Sequence, residues 1–238
     1  MASGQSRTPG RSLSGTAYEA LRHRIITCEL APGERLTERR TAAELGLGLS
    51  PVRDALTRLV QDGLLQVAPR KGYRVTPLTV KSVDDLFTAW VLIGPEIARL
   101  GVSRAGLEQG EALRRLFAEI DRALGTAPVH DGATRFIELA NEAFDLLAIA
   151  ADNDRMLEIF RSLAGEMSRL WTVILTADVE HEVLQVANAG WDSIIDEHDG
   201  ERAAGNAHAF IRASHAAAMR VLRAWPSVRN SEVVPLRR

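Results

Sequence analysis

Arginine and lysine side chains are the most chemically distinctive residues in the first third of the sequence. Arg35 and Arg39 are four residues apart, Arg53 follows a Pro-Val pair, and Arg70 and Lys71 are adjacent. A guanidinium can donate two parallel hydrogen bonds to a phosphate or to the edge of a guanine base, and a lysine binds phosphate as a point charge. These residues therefore point to the recognition of a polyanion.

Other residues offer little catalytic or metal-binding chemistry. Cys28 is the only cysteine, so it cannot form an intrachain disulfide. The histidines of the C-terminal third have no i, i+4 ligand spacing, and no nucleophile–base motif or glycine-rich phosphate loop is present. Asp145 remains as the candidate acid or base of an enzyme hypothesis.

The charge distribution indicates two modules with different partners. Residues 1–75 carry 12 Lys and Arg against 7 Asp and Glu, a net charge of +5, whereas the rest carries 17 against 24, a net charge of −7. The total of −2 thus conceals a basic segment suited to nucleic acid. A hydrophobic content of 46% excludes a disordered or collagen-like chain.

Targeting signals are not evident in the sequence. No apolar run approaches the roughly 18–20 residues that cross a bilayer, and the first residues lack the apolar core of a signal peptide. We therefore expect a cytoplasmic protein without a membrane partner.

Three helices must position the basic side chains of the first segment. Apolar residues at three- and four-residue steps predict a first helix from Thr16. Thr37 is the predicted N-cap of a short second helix, which Gly46 ends. Ser50 is the predicted N-cap of a third helix, with Pro51 at its first helical position.

A basic hairpin follows the third helix, which Gly63 closes. Residues 64–67 and 73–75 are predicted strands around a tip at 68–72. A short helix, a turn, a second helix and such a hairpin form a winged helix-turn-helix, whose second helix enters the major groove of DNA. The predicted DNA-contacting residues are Arg35, Arg39, Ser50, Pro51, Arg53, Arg70, Lys71 and Gly72.

The fold class expected from these patterns is mainly α. Residues 1–14 are predicted as a disordered arm and residues 15–76 as the winged helix-turn-helix. Residues 77–228 contain long helical patterns that predict an all-α bundle of six or seven helices. Residues 229–238 form an irregular tail.

A series of motifs in the first segment carries a family resemblance. They are LAPGERLTE at 30–38, AELG at 43–46, SPVRDAL at 50–56, DGL at 62–64 and GYRV at 72–75. Together they resemble the GntR family of bacterial transcriptional regulators. The resemblance implies that Arg35, Arg53 and the Gly72 wing contact DNA. The family commonly has a base-reading arginine where this chain has Leu49, so its operator need not follow the family.

The C-terminal segment is similar to the all-helical FCD domain of the FadR-like branch. The resemblance rests on residues 136–144, on 151–153 and on Asp-Gly-Glu-Arg-Ala at 199–203. Many FCD domains bind a divalent metal with one aspartate and three histidines. The corresponding positions here are Asn141, Asp145, Asn188 and Phe210. The resemblance therefore implies a retained pocket that has lost its metal ligands, and we expect no metal and no cofactor.

The predicted effector site combines stacking surface with a few polar groups. Its residues are Trp90, Asn141, Asp145, Asn188 and Phe210, with Trp171 as a further candidate for the apolar surface. The resemblance implies that Trp90 and Gly94 stand where the family has an arginine and a glutamate. A lone carboxylate repels anions, which favours a neutral or cationic ligand over an organic acid. Alternatively, these positions simply pack the bundle.

The sequence therefore predicts a homodimeric DNA-binding transcriptional regulator. Two reading heads of a dimer suit a palindromic operator, and a small-molecule effector would change their spacing. One alternative is a DNA-binding protein whose helical domain only dimerises. The other is an enzyme that uses Asp145.

Overall fold

Small helices and a three-stranded sheet form the first part of the molecule. The computed structural model describes residues 12–126, 129–176 and 190–224. The first elements are α1 (Leu13–Ile26), β1 (Arg35–Leu36), α2 (Glu38–Leu45), α3 (Leu49–Gln61), β2 (Leu65–Ala68) and β3 (Gly72–Val75). The strands are antiparallel in the order β1-β3-β2. This arrangement confirms the predicted winged helix-turn-helix.

Helix boundaries in this part follow local capping chemistry. The Oγ1 of Thr37 accepts from the backbone of Arg40 and caps α2, and Gly46 ends it with a φ of 64°, as predicted. Helix α1 begins at Leu13 rather than Thr16, because the Oγ of Ser12 accepts from the backbone of Gly15. Its first residues thus fall inside the segment predicted as a disordered arm.

The predicted start of α3 is wrong by two residues. Gly48 is the N-cap and makes no side-chain capping bond, and Leu49 is the first helical residue. Ser50 and Pro51 therefore lie within the first helical turn. The proline is tolerated there because the first four N–H groups of a helix have no intrahelical acceptor.

Strand β1 is an element that the sequence patterns did not predict. Leu36 pairs with Tyr73 of β3, and Arg35 pairs with Arg74. Two residues are too short to show an alternation of apolar and polar side chains. The pairing nevertheless joins the wing to the segment that precedes α2.

The second part of the molecule is a helical bundle, as predicted. Its described helices are α4 (Val80–Arg104), α5 (Leu107–Thr126), α6 (Val129–Ala150), α7 (Asp154–Thr176), α8 (Trp191–Asp196) and α9 (Gly200–Ala224). The predicted irregular tail, and the part of the predicted arm before Ser12, lie outside the described residues.

Two groups of buried apolar side chains form the cores of these two parts. One includes Leu21, Leu56 and Leu59 of the winged helix-turn-helix. The other runs through the bundle and includes Phe87 and Leu170. Such contiguous burial is the main favourable contribution to folding.

Helix α4 is both long and apolar. By length and composition it could cross a membrane, with a mean hydropathy of 1.2 over 18 residues. This is weak evidence, because 44% of that window is buried in the protein and core helices pass the same test. Val83, Phe87 and Ile97 of α4 are part of the bundle core.

Candidate nucleic-acid interface and ligand cavity

An ion pair fixes Arg53 at the leading end of α3. The Nε of Arg53 donates to Oε1 and Oε2 of Glu38, both at 3.0 Å, and Nη2 donates to Oε2 at 2.8 Å. These hydrogen bonds lower the pKa of Glu38. The Arg53 side chain is still 61% exposed, and its Nη1 has no partner among the described residues. Arg53 is thus held in place with one edge of its guanidinium free.

Four further predicted cations are exposed and unpaired. Arg35, Arg39, Arg70 and Lys71 have no ion-pair partner within the part of the chain that the structure describes. Arginines elsewhere in the same module form internal ion pairs, and Arg40, for example, donates to Glu44 at 2.7 Å. All four unpaired cations named above belong to the residues predicted to contact DNA, and their charges are available to phosphates.

The wing packs directly against the start of α2. Gly72 has a φ of 85°, and a Cβ there would lie 2.4 Å from the carbonyl oxygen of Leu36 and 3.4 Å from the Cα of Thr37. Only glycine fits this close approach without strain. The Tyr73 hydroxyl also reaches Glu38 at 3.5 Å. The wing and the starts of α2 and α3 therefore meet at Glu38.

Leu49 and Ser50 are exposed at the leading end of α3. Leu49 is 45% exposed, and Pro51 is partly buried. The predicted reading edge thus presents an apolar group, a hydroxyl and the Arg53 guanidinium. This set can contact a thymine methyl group, a base edge or a phosphate.

A small cavity in the bundle brings together three of the predicted effector residues. Trp90, Asn141 and Phe210 line it, together with the additional candidate Trp171. The other lining residues are Ile137, Ala140, Phe144, Phe160, Leu163, Ala164 and Met167. The cavity volume is about 30 Å³, enough for about two water molecules. Asn188 lies outside the described residues.

Asp145 does not line this cavity. Its carboxylate accepts from Nε and Nη2 of Arg161 on α7, at 2.7 and 3.0 Å. The hydrogen bonding of Arg161 to the Asp145 carboxylate raises the pKa of Arg161. The expectation of an uncompensated carboxylate beside the ligand is therefore wrong, because a guanidinium neutralises it.

The residues at the family's metal positions do not fit a divalent metal. The Nδ2 of Asn141 donates to the Oγ of Ser168 at 2.8 Å, Asp145 is bound to Arg161, and Phe210 carries no ligand atom. Among the described residues no group of three His, Cys, Asp or Glu side chains could hold a metal ion. A divalent metal would need several such oxygen or nitrogen ligands.

Helix α7 connects the cavity to the winged helix-turn-helix. Ala164, Met167 and Trp171 line the cavity. On another side of the same helix, the Oγ1 of Thr172 donates to the carbonyl of Ile26 at the end of α1, at 2.8 Å. Helix α7 therefore contacts both the cavity and the end of α1.

A buried arginine lies in the joint between α7 and the first module. Arg169 is fully buried, and its Nη2 donates to the carbonyl of Thr76, just after the wing. Its Nε and Nη1 have no partner in the described structure. Burial lowers the pKa of Arg169, raises the pKa of Glu166 and raises the pKa of the Cys28 thiol to about 11. The joint thus contains incompletely satisfied polar groups.

Sequence reasoning missed the residues that act through partners distant in the chain. The pairing of Glu38 with Arg53 was not predicted from the sequence. Arg161 lies among ordinary helical residues, and no spacing signal distinguishes it. An unpaired arginine on the apolar side of a predicted helix is the one signal that could have found Arg169.

Comparisons with protein families divide the chain as its structure does. Residues 13–75 match the family described as "Bacterial regulatory proteins, gntR family". Residues 85–213 match the FCD domain.

Relatives with similar sequences carry the names of regulators. The uncharacterized HTH-type transcriptional regulator YdhC of Bacillus subtilis is 30% identical over 143 residues, which are 59% of this chain and 61% of that protein. The HTH-type transcriptional repressor RspR of Escherichia coli is 25% identical over 162 residues, 68% of this chain and 69% of that protein. A Streptomyces ambofaciens relative is matched over 34% of its length.

Solved structures share the fold. Escherichia coli McbR/YncC has a TM-score of 0.71 at 20% identity, covering 84% of this chain and 94% of that chain. A transcriptional regulator from Rhodococcus sp. RHA1 has a TM-score of 0.67 at 20% identity, covering 90% of this chain and 99% of that chain.

Proposed function

This chain belongs to the gntR family of bacterial regulatory proteins and carries an FCD domain, and from that premise we propose that it is a DNA-binding transcriptional regulator. It acts in the cytoplasm as a homodimer on a palindromic operator. A small molecule bound in the helical domain, without a metal, changes its affinity for that operator.

The ion pair between Arg53 and Glu38 is the observation that carries the DNA-binding proposal. It holds a guanidinium with a free edge at the leading end of α3. That end of the second helix is the part of a helix-turn-helix that meets base edges, and two such helices in a dimer read half-sites about one helical turn apart. The four unpaired cations nearby would hold the flanking phosphates.

Operator binding should depend steeply on salt. Four unpaired cations in each protomer give eight in a dimer. If all eight neutralise phosphates, the logarithm of the binding constant falls with the logarithm of salt with a slope of about −7. The measurement is fluorescence anisotropy with an operator selected from random DNA, titrated at several salt concentrations. The control DNA is a single half-site. An operator binding constant that does not change with salt concentration, or an equal affinity for the half-site, would contradict the proposal.

Helix α7 supports a sensor rather than a domain that only dimerises. It contacts the aromatic cavity through Trp171 and the first module through Thr172 and Arg169. A ligand that favours one position of α7 therefore shifts the position of α1 by its differential affinity for the two arrangements. The incompletely satisfied Arg169 guanidinium lowers the cost of leaving the present arrangement.

The enzyme hypothesis receives no support from the site. Its candidate acid or base, Asp145, is bound by both donors of Arg161 and lies outside the cavity. The family names of the relatives are those of regulators.

We expect purified protein to contain no stoichiometric Zn, Ni or Mn. Asn141 is hydrogen-bonded to Ser168, and Asp145 is ion-paired with Arg161. A metal would have to break both interactions and would gain only weak ligands in return. Elemental analysis after gel filtration measures the content. The matched variants are Asp145→Ala and Asp121→Ala, the latter exposed on α5. A full equivalent that is lost only in Asp145→Ala would refute the metal-free site.

A further inference from the structure

A second cavity adjoins the one that contains Asn141. It has a volume of about 20 Å³ and shares Ala140, Phe144 and Phe210 with the first. Phe117 and Trp191, stacked with ring centroids 4.1 Å apart, line its far side. The two small cavities thus share three lining residues, two of which are phenylalanines.

Of the two shared phenylalanines, Phe144 has more room to move. It is partly exposed, whereas Phe210 is buried and stacks in parallel on Trp171 with ring centroids 5.3 Å apart. Phe144 meets Trp90 edge to face at 5.1 Å. A rotation of Phe144 toward solvent would join the two spaces and expose aromatic faces on both sides. Aromatic rings from both cavities would then line the combined space.

The lining chemistry selects against charge. Asn141 is the only described lining residue whose side chain carries an oxygen, and none of the described lining residues is titratable. The nearby Asp145 is neutralised by Arg161. An ion would lose its hydration here without gaining a partner of opposite charge, which is costly.

Asn141 offers one defined hydrogen bond. Its Nδ2 is committed to Ser168, and its Oδ1 has no partner within the described structure. That oxygen is an acceptor, so it requires a donor on the ligand.

The position of Trp90 fits the same chemistry. A Cβ at Gly94 would lie 3.1 and 3.2 Å from two atoms of the Trp90 indole, and 2.7 Å from Cδ1 of Ile211. The indole therefore fills the space that a side chain at position 94 would need. This end of the cavity is closed by apolar surface rather than by a charged pair.

Resting on the proposed function, we propose that the effector is a neutral, flat aromatic molecule with one hydrogen-bond donor. It stacks against the rings that line the two cavities, displaces Phe144 and donates to the Oδ1 of Asn141. Aromatic stacking and apolar burial supply the affinity, and the single hydrogen bond fixes the orientation.

Three probes of matched shape test the charge selection. Isothermal titration calorimetry of the full chain would compare naphthalene-2-carboxamide with naphthalene-2-carboxylate and with naphthalen-2-ylmethylammonium. We expect the neutral carboxamide to bind about tenfold or more tightly than either ion. Equal or tighter binding of an ion, or no binding of the carboxamide, overturns the inference.

Two variants locate the binding site. Asn141→Leu should weaken carboxamide binding by about fivefold to tenfold, which matches the loss of one hydrogen bond. Ala140→Leu fills both cavities and should abolish binding, whereas Ala118→Leu, on an exposed position of α5, should not change it. Unchanged binding in Asn141→Leu would refute the site even if Ala140→Leu fails to fold.

Operator binding is measured in parallel with the probe titrations. If operator binding keeps its salt dependence while no probe binds, the ligand class is wrong and the proposed function stands. If operator binding itself is absent, the proposed function fails.

Discussion

The Arg53→Ala variant should lose specific operator binding while its fold is retained. A base or phosphate contact from an arginine contributes about 1–3 kcal/mol, and a dimer on a palindrome makes the contact twice, so the loss is about 2–6 kcal/mol. The helix itself should persist, because alanine is a better helix former and the Arg53 side chain is 61% exposed. Anisotropy titration with operator and with random DNA measures the loss, and circular dichroism checks the fold.

Two control variants separate a DNA contact from a structural ion pair. Glu38→Gln removes the negative charge that pairs with Arg53 but keeps the arginine itself. It should retain operator affinity within about threefold, because the loss of a negative charge near DNA offsets the looser positioning of the Arg53 side chain. Arg155→Ala makes the same charge change at a side chain of α7 that is 84% exposed, and should leave binding unchanged. If Glu38→Gln were as defective as Arg53→Ala, Arg53 would act only through its ion pair.

Local chemistry made the winged helix-turn-helix predictable. The side chain of Thr37 determines where α2 begins, and the backbone freedom of Gly46 determines where it ends. Both residues have their predicted roles in the structure. The hairpin strands were predicted to within one residue, because a glycine and a basic tip separate two apolar runs. Where a feature depends on a few neighbouring residues, the sequence contains enough information.

The start of α3 shows where local reasoning fails. Ser50 and Pro51 are favourable at several positions of a first turn, so their presence does not determine which residue is the cap. In the structure Gly48 takes that role without a side-chain bond, and Leu49 becomes helical. The choice depends on how the turn between α2 and α3 packs, which is not encoded in a four-residue pattern.

Ion pairs between residues of different helices could not be predicted from the sequence either. Asp145 and Arg161 are 16 residues apart and on different helices, as are Glu38 and Arg53 at 15 residues apart. The expectation that the cavity carries a free carboxylate failed for this reason. The aromatic part of the predicted site agrees better with the structure, because Trp90, Trp171 and Phe210 all line the cavity.

A single methyl group at Gly101 should destabilise the bundle strongly. A Cβ there would lie 2.5 Å from the carbonyl oxygen of Leu147 and 3.0 Å from its Cα, so α4 and α6 would have to move apart. Overpacking of this kind costs about 1–3 kcal/mol, and the contact is with backbone, which cannot rotate away. We therefore expect the free energy of unfolding of Gly101→Ala to fall by about 2 kcal/mol in urea denaturation followed by circular dichroism.

The same substitution at Gly205 should have the opposite sign. Gly205 lies within α9 and a Cβ there would meet nothing within 4 Å, so alanine should stabilise the helix by about 0.5–1 kcal/mol. Because both variants exchange glycine for alanine, their unfolded-state effects are similar, and the difference reports the close approach of α4 and α6. Equal stabilisation by the two substitutions would contradict the close contact between α4 and α6 at Gly101. Since Trp90 and Phe144 belong to these two helices, a loosened Gly101→Ala bundle should also weaken carboxamide binding in the cavity.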